Sequence, residues 1–272
     1  MSGSIFFEPT GDGKFNPGKV KFVLSALIKP RRAEVSDASN EVLNQAERYK
    51  MDFEGLSLQI YEWGEAEKKI LLVHGWESRA SHWHHWVKPL IEAGYAVTAL
   101  DLPAHGESGG STANVIVSGR AVLRLSKTMS RLESIIGHSM GSAACLYAFA
   151  NGLSVKKSIH LAGPISLADV VRRAGRFAQL NGLELEMLLK QFQASIDEPI
   201  ENMEISSLRP GMDHIGLLLH DPLDREVPIA DSRVLNDTWS GAHLVEVENV
   251  GHRKIISDSH AIQAAVKFLQ CS

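Results

Sequence analysis

Gly137-His138-Ser139-Met140-Gly141 is the stretch of this 272-residue chain whose residue types and spacing point most directly to chemistry. A serine hydroxyl is a weak nucleophile. It needs an exposed perch, a base within reach, and donors for the oxyanion its attack would create. Here an apolar pair, Ile135-Ile136, runs straight into Gly-x-Ser-x-Gly, and Ser142 to Ala148 behind it is rich in small, helix-tolerant residues. The pattern predicts strand, sharp turn and helix, with Ser139 at the apex as the candidate nucleophile. The two glycines leave room where a Cβ would clash. The helix start leaves unpaired N–H groups beside the hydroxyl, that of Met140 first.

The partners of such a serine belong on the loops that follow other buried strands. After Ile70 to Val73 comes His74-Gly75-Trp76, where a glycine bend would aim the Trp76 amide at the serine as a second oxyanion donor beside Met140. After Ile215 to Leu219 comes His220-Asp221-Pro222-Leu223-Asp224, in which two acids compete to orient a histidine. Asp221 precedes a proline and reads as a turn residue. Asp224 lies a few residues beyond the strand end, before Val227-Pro228, and is the preferred acid. After Leu244 to Val247, Gly251-His252 precedes the last helix, and the order nucleophile, acid, histidine makes His252 the candidate base. Asp101 and His105 precede the nucleophile and read as scaffold.

The elements that must hold these loops alternate. Continuous apolar runs at 70–73, 96–100, 135–136, 159–162 and 215–219 read as strands buried on both faces, with 244–247 a weaker last strand. Between them, Trp83, Trp86, Val87, Leu90 and Ile91 share a helical stripe ended by Gly94; 121–129 and 143–150 are further helices, and Ile255, Ile262, Val266 and Leu269 mark the last. Before this alternation, Tyr49, Met51 and Phe53 and then Leu56, Leu58 and Ile60 alternate around Glu54-Gly55, an antiparallel hairpin at a sheet edge. The expected fold is α/β, a mostly parallel central sheet with helices on both faces. Residues 164–212 break the rhythm with helical spacing only and read as a lid over the strand ends rather than two crossover helices. Its apolar residues are too many for one helix face, so Met187 and Phe192 are expected to line an acyl pocket. The expected organisation is an N-terminal surface segment at 1–45, a core at 46–163 and 213–272, and the lid between.

The elbow Gly137–Gly141, His74-Gly75-Trp76, Asp101-Leu102-Pro103-Ala104-His105-Gly106 and the late Gly251-His252 together resemble the α/β-hydrolase superfamily, in its lid-bearing esterase and lipase branch. The resemblance covers roughly residues 48–270. It implies Ser139 as nucleophile, His252 as base, Asp224 as orienting acid and the amides of Trp76 and Met140 as oxyanion hole. Ala104 departs from the pattern, since a second glycine usually stands in that loop. The implied function is hydrolysis of a carboxylic ester through an acyl-enzyme. A thioesterase, peptidase or C–C bond hydrolase on the same residues, or a silent binding protein of the same fold, are the alternatives.

Composition agrees with an ordinary globule: 44% hydrophobic, 22% charged, net charge −4 and pI about 6.3. Nothing there calls for nucleic acid or an anionic membrane. The apolar run 20–28 is too short and too charged to span a bilayer and reads as an amphipathic helix packed on the domain. The two cysteines, Cys145 and Cys271, do not indicate a disulfide framework, and a reducing cytoplasm is expected. The expected partner is a small-molecule ester; no cofactor is needed, and homodimerisation is left open. His82-Trp83-His84-His85-Trp86 is histidine-dense but lacks the carboxylate or cysteine ligands metal sites commonly add, so no metal is expected. Arg172, Arg173 and Arg176 read as a solvated helix face.

Overall fold

The computed structural model describes residues 15–271. In chain order its elements are α1 (Pro17–Ile28), α2 (Asp37–Asn44), β1 (Glu47–Phe53), β2 (Leu56–Trp63), β3 (Lys69–Val73), α3 (His84–Glu92), β4 (Ala96–Leu100), α4 (Val115–Ser126), β5 (Leu132–His138) and α5 (Met140–Ala150). Then come β6 (Lys157–Leu161), α6 (Leu167–Phe177), α7 (Gly182–Gln193), α8 (Ile205–Leu208), β7 (Ile215–His220), α9 (Ile229–Thr238), β8 (Ala242–Glu246), α10 (Gly251–Lys254) and α11 (Ser259–Gln270). The strands form one sheet in the order β1-β2-β4-β3-β5-β6-β7-β8. From β4 to β8 every pairing is parallel. The β1–β2 hairpin joins antiparallel at the β4 edge, turning on Glu54 and Gly55, both at positive φ.

The period-2 geometry of a strand sends neighbouring side chains to opposite faces. Leu71, Val73 and Ile135 therefore enter one core with α4 and α5, while Ile70, Leu72 and Ile136 enter a second core with α3 and α11. This is why the inner strands carry unbroken apolar runs. The edge strand β8 is half-exposed, as its weaker pattern foretold.

The structure departs from three of these expectations. Helix α4 begins at Val115, six residues before the expected start. The Asn114 side chain accepts the amides of Ile116 and Val117, and this cap overrides the β-branched Val-Ile-Val run. Ile91 leaves the expected stripe and is exposed, while Trp83, Trp86 and Leu90 are fully buried. Ile255 falls in a separate turn before α11.

Between β6 and β7 the described chain is helical throughout, as expected. Helices α6 and α7 meet at Gly175, where an added Cβ would lie 2.6 Å from Leu185 Cδ1. The N-terminal stretch does more than wrap the surface: α1 packs on both α6 and α7. One carboxylate joins them, since Glu184 accepts the amide of Asn16 at 2.8 Å and that of Asn181 at 2.9 Å, at the starts of α1 and α7. The expectations for residues 1–14 lie outside the described residues. No helix among the described residues is long and apolar enough to cross a membrane.

Candidate active site

The turn from β5 into α5 is strained at one residue. Ser139 has φ +53° and ψ −122°, a region that side chains avoid. Close packing enforces it. A Cβ on Gly137 would lie 2.7 Å from the backbone of Ser142, and one on Gly141 would lie 2.2 Å from the Val73 carbonyl oxygen. The absence of both lets α5 descend onto β3 directly behind the serine. The Ser139 amide donates to Leu161 O at 2.8 Å, which ties the turn to β6.

His252, in the first turn of α10, brings Nε2 to 2.8 Å from Ser139 Oγ. Its Nδ1 lies 2.7 Å from Asp224 Oδ2, so Nδ1 carries the proton and Nε2 is left to accept from the hydroxyl. Asp224 is enclosed on every side. Its Oδ1 accepts the amides of Glu226 and Val227 at 2.8 and 3.0 Å, and His220 Nε2 lies 3.4 Å from Oδ2. Burial alone would raise this carboxyl, but the hydrogen bonds from His220 and His252 outweigh it and hold it well below the usual carboxylate range. Asp224 therefore stays charged beside His252.

The competing acid has a different task. Asp221 Oδ2 accepts the amides of Val250 and Gly251 at 2.7 and 2.5 Å, and its Oδ1 accepts that of Leu223 at 2.8 Å. It is buried and grips the two residues immediately before His252. His138, the variable residue of the elbow, grips His252 itself: its Nε2 lies 2.9 Å from the His252 carbonyl oxygen and donates to it. Burial, and then the neighbouring His252, push the His138 imidazole down to about 3, so it remains neutral. Neither contact was legible in the sequence. Asp-Pro announces only a turn, and the middle of Gly-x-Ser carries no signal of its own.

These distances put Ser139, His252 and Asp224 in one hydrogen-bonded line at the carboxyl ends of β5, β8 and β7. A sequence profile for the alpha/beta hydrolase fold matches residues 68–185. An esterase from Pyrococcus furiosus superposes with a TM-score of 0.66 at 20% identity, over 90% of this chain and 97% of that one. This is an α/β-hydrolase-fold protein. The hydrolase-fold chain is also 30% identical, over 137 residues, to a Drosophila melanogaster protein named a probable serine hydrolase, 47% of this chain and 40% of the relative. It is 28% identical, over 123 residues, to the dihydrolipoyllysine-residue acetyltransferase component of the acetoin cleaving system of Cupriavidus necator, 44% of this chain and 33% of that protein. The chain thus spans about a third to two-fifths of the length of these curated relatives.

In this α/β-hydrolase fold the β3 loop passes beside the serine. A Cβ on Gly75 would sit 2.9 Å from Ser139 Cβ. His74 Nε2 accepts the Leu102 amide at 2.9 Å, and His105 Nε2 accepts the Glu77 amide at 3.2 Å. Asp101 accepts the amides of Ala80 and Glu107 and the Tyr61 hydroxyl. Asp101 and His105 therefore join the β3 and β4 loops, as scaffold. Ala104, where the resemblance led to the expectation of a glycine, takes up φ +65°. His82 is engaged by Ser78 Oγ at 2.7 Å, and the His84 and His85 rings pack against each other.

A cavity of about 690 Å³ opens above Ser139. Trp76, Val115, Met140, Val171 and Phe192 give it an apolar wall, and α1 adds Leu27, a contribution the sequence did not reveal. Met187 does not border it. On α7 the buried stripe is Glu184, Leu188 and Phe192, so Met187 turns aside and packs half-buried against the core. The surplus apolar residue on α7 is Leu183, which is exposed to solvent. Arg173 and Arg176 both border the cavity, against the solvated face expected for them, while Arg172 pairs with Asp169 at the surface.

Proposed function

We propose that this protein is a serine hydrolase that cleaves a carboxylic ester through an acyl-enzyme on Ser139. The observation that carries this reading is the line Ser139 Oγ–His252–Asp224, at 2.8 and 2.7 Å, opening into a cavity with an apolar wall. The similarity to a serine hydrolase and to an esterase supports it. In this mechanism His252 Nε2 takes the hydroxyl proton as Oγ attacks the carbonyl carbon. The charge that develops on the carbonyl oxygen is held by the amides of Trp76 and Met140. Collapse of the tetrahedral intermediate releases the alcohol, which takes the proton from His252. Water, deprotonated by His252, then attacks the acyl-enzyme and frees Ser139. Asp224 fixes the imidazole tautomer and offsets its transient charge.

In the same reading, the helical segment 164–212 serves as a lid whose Phe192 and Val171 form part of the acyl pocket. Cys145 and Cys271 are unpaired thiols, which supports a reducing, cytoplasmic setting. The test is a pre-steady-state burst with 4-nitrophenyl esters of graded chain length. One equivalent of nitrophenol per active protein, followed by slower turnover, is expected. Ester turnover undiminished in Ser139→Ala would end the reading.

A further inference from the structure

The sheet order sorts the cavity into two sides. Trp76 follows β3, and Val115 opens α4 after β4, so both stand on one side of Ser139. Leu27 joins them there, because the Ala113 amide donates to Ile28 O at 2.9 Å and ties the end of α1 to the start of α4. All of these are apolar. On the other side, Arg225 and Glu226 follow β7 and Arg253 follows β8. Helix α6 reaches over this second side, since Arg173 Nη2 lies 3.4 Å from Asp231 in the first turn of α9.

The charges of that side do not cancel. Glu226 is held by Arg253, with contacts of 2.8 and 3.3 Å. Asp231 faces Arg173, yet neither Arg173 Nη2 nor Asp231 Oδ2 has a hydrogen bond, so the guanidinium is positioned without being saturated. Arg225 borders the cavity and is exposed. Arg173, Arg225 and Arg253 against Glu226 and Asp231 leave the balance positive before Arg176 is counted. Asp224 is enclosed beneath His252 and already shared with it. Chemistry gives this side a direction. His252 must hand its proton to the departing alcohol, so the alcohol portion of an ester lies toward the loops that carry His252, Arg253 and Arg225.

We propose that the ester substrate carries an anionic group, phosphate or carboxylate, on its alcohol portion, recognised by Arg173, Arg225 and Arg253, with its apolar acyl chain toward Leu27, Trp76 and Val115. This rests on the ester hydrolase reading above and names the substrate class for that site. Guanidinium groups suit both anions, because their fork of donors matches two oxygens at once.

Three hexanoate esters with matched leaving groups test it: those of 4-hydroxybenzamide, 4-hydroxybenzoate and 4-hydroxyphenyl phosphate. With kcat/KM divided by each ester's rate of alkaline hydrolysis, the anionic esters are expected to lead the neutral one by about tenfold or more, the size of one charge-assisted hydrogen bond. The better of the two anionic esters distinguishes carboxylate from phosphate. Arg225→Gln, which breaks no ion pair among the described residues, and Arg173→Gln should each lower the anionic-to-neutral ratio several-fold, and added salt should erode it. Equal normalised rates for all three esters, or a ratio untouched in both variants, would overturn the proposal. Calorimetry of the same esters with Ser139→Ala separates the two readings. Anion-selective binding without turnover by the native protein would remove the hydrolase reading and keep the anion site. Turnover without anion preference would do the reverse.

Discussion

Asp221→Asn is the substitution that separates holding His252 in place from holding its proton. The carboxylate accepts three amides, those of Leu223, Val250 and Gly251, at 2.8, 2.7 and 2.5 Å. An asparagine has one acceptor oxygen. If that oxygen stays with Val250 and Gly251, its NH₂ faces the Leu223 amide, donor against donor; the reverse orientation loses two bonds. The remaining bonds also lose their ionic component. Hydrogen bonds to charged groups contribute about 1.5–3 kcal/mol each, so the loss should be about 3–5 kcal/mol. For a protein of this size that lowers Tm by about 10 °C. The loop that loosens carries His252, so kcat should fall while KM changes little. Asp224→Asn should be set apart by its kinetics: kcat down by about 10⁴, because the wrong imidazole tautomer is favoured. Thermal melts and steady-state kinetics on both variants decide it. If Asp221→Asn kept the native Tm and lost as much kcat as Asp224→Asn, Asp221 would be the orienting acid. If it kept both Tm and kcat, the grip on residues 250–251 would have no consequence.

Three further outcomes are expected. Phe192→Ala should shift acyl-chain preference toward longer esters and cost about 3–5 kcal/mol of stability, whereas Met187→Ala, off the cavity, should leave the preference alone; acyl-length profiles and melts check both. Ala104→Gly should raise Tm by a few degrees, because a left-handed alanine costs about 1–2 kcal/mol and the added freedom of the unfolded glycine returns only part of it; a lower Tm would contradict this. His138 is neutral when folded, with its imidazole at about 3, while the unfolded side chain takes a proton near 6.5. Between those values the unfolded state holds the extra proton, so stability is complete above about pH 6.5 and falls as pH drops toward 3. His138→Gln, which keeps an N–H for the His252 carbonyl, should make the dependence of stability on pH between 6 and 4 shallower by up to ~1.4 kcal/mol per pH unit; an unchanged slope would show that His138 is already charged.

Much of this molecule was readable before its structure, for physical reasons. Strands buried on both faces must be apolar throughout, so the inner strands of a mostly parallel sheet followed from Ile70–Val73, Ala96–Leu100 and Ile215–Leu219. The elbow was legible because its close approaches admit only glycine at 137 and 141. Ser139, His252 and Asp224 came from chain order and from their positions after strand ends. What failed to show were contacts that depend on where a loop lands. Asp221 and Asp224 are three residues apart in one loop; the sequence preferred Asp224 as the orienting acid, but the grip of Asp221 on the amides of Val250 and Gly251 shows only in three dimensions. The side of α6 that Arg173 and Arg176 occupy depends on how that helix leans toward α9, which no local periodicity encodes. Leu27 reaches the cavity because Glu184 caps α1 and α7 together, a link across 168 positions of sequence. Met187 was misplaced because an excess of apolar residues was read as a second buried face, whereas α7 leaves Leu183 in solvent.

The central proposal, that Ser139 attacks as an activated nucleophile, is tested most directly by stoichiometric labelling with a fluorophosphonate followed by intact mass and peptide mapping. One adduct per chain, on the peptide containing Ser139, is expected, with none on Ser139→Ala and labelling slowed by orders of magnitude in His252→Ala. Labelling that persists in Ser139→Ala, or that proceeds at the native rate without His252, would contradict it.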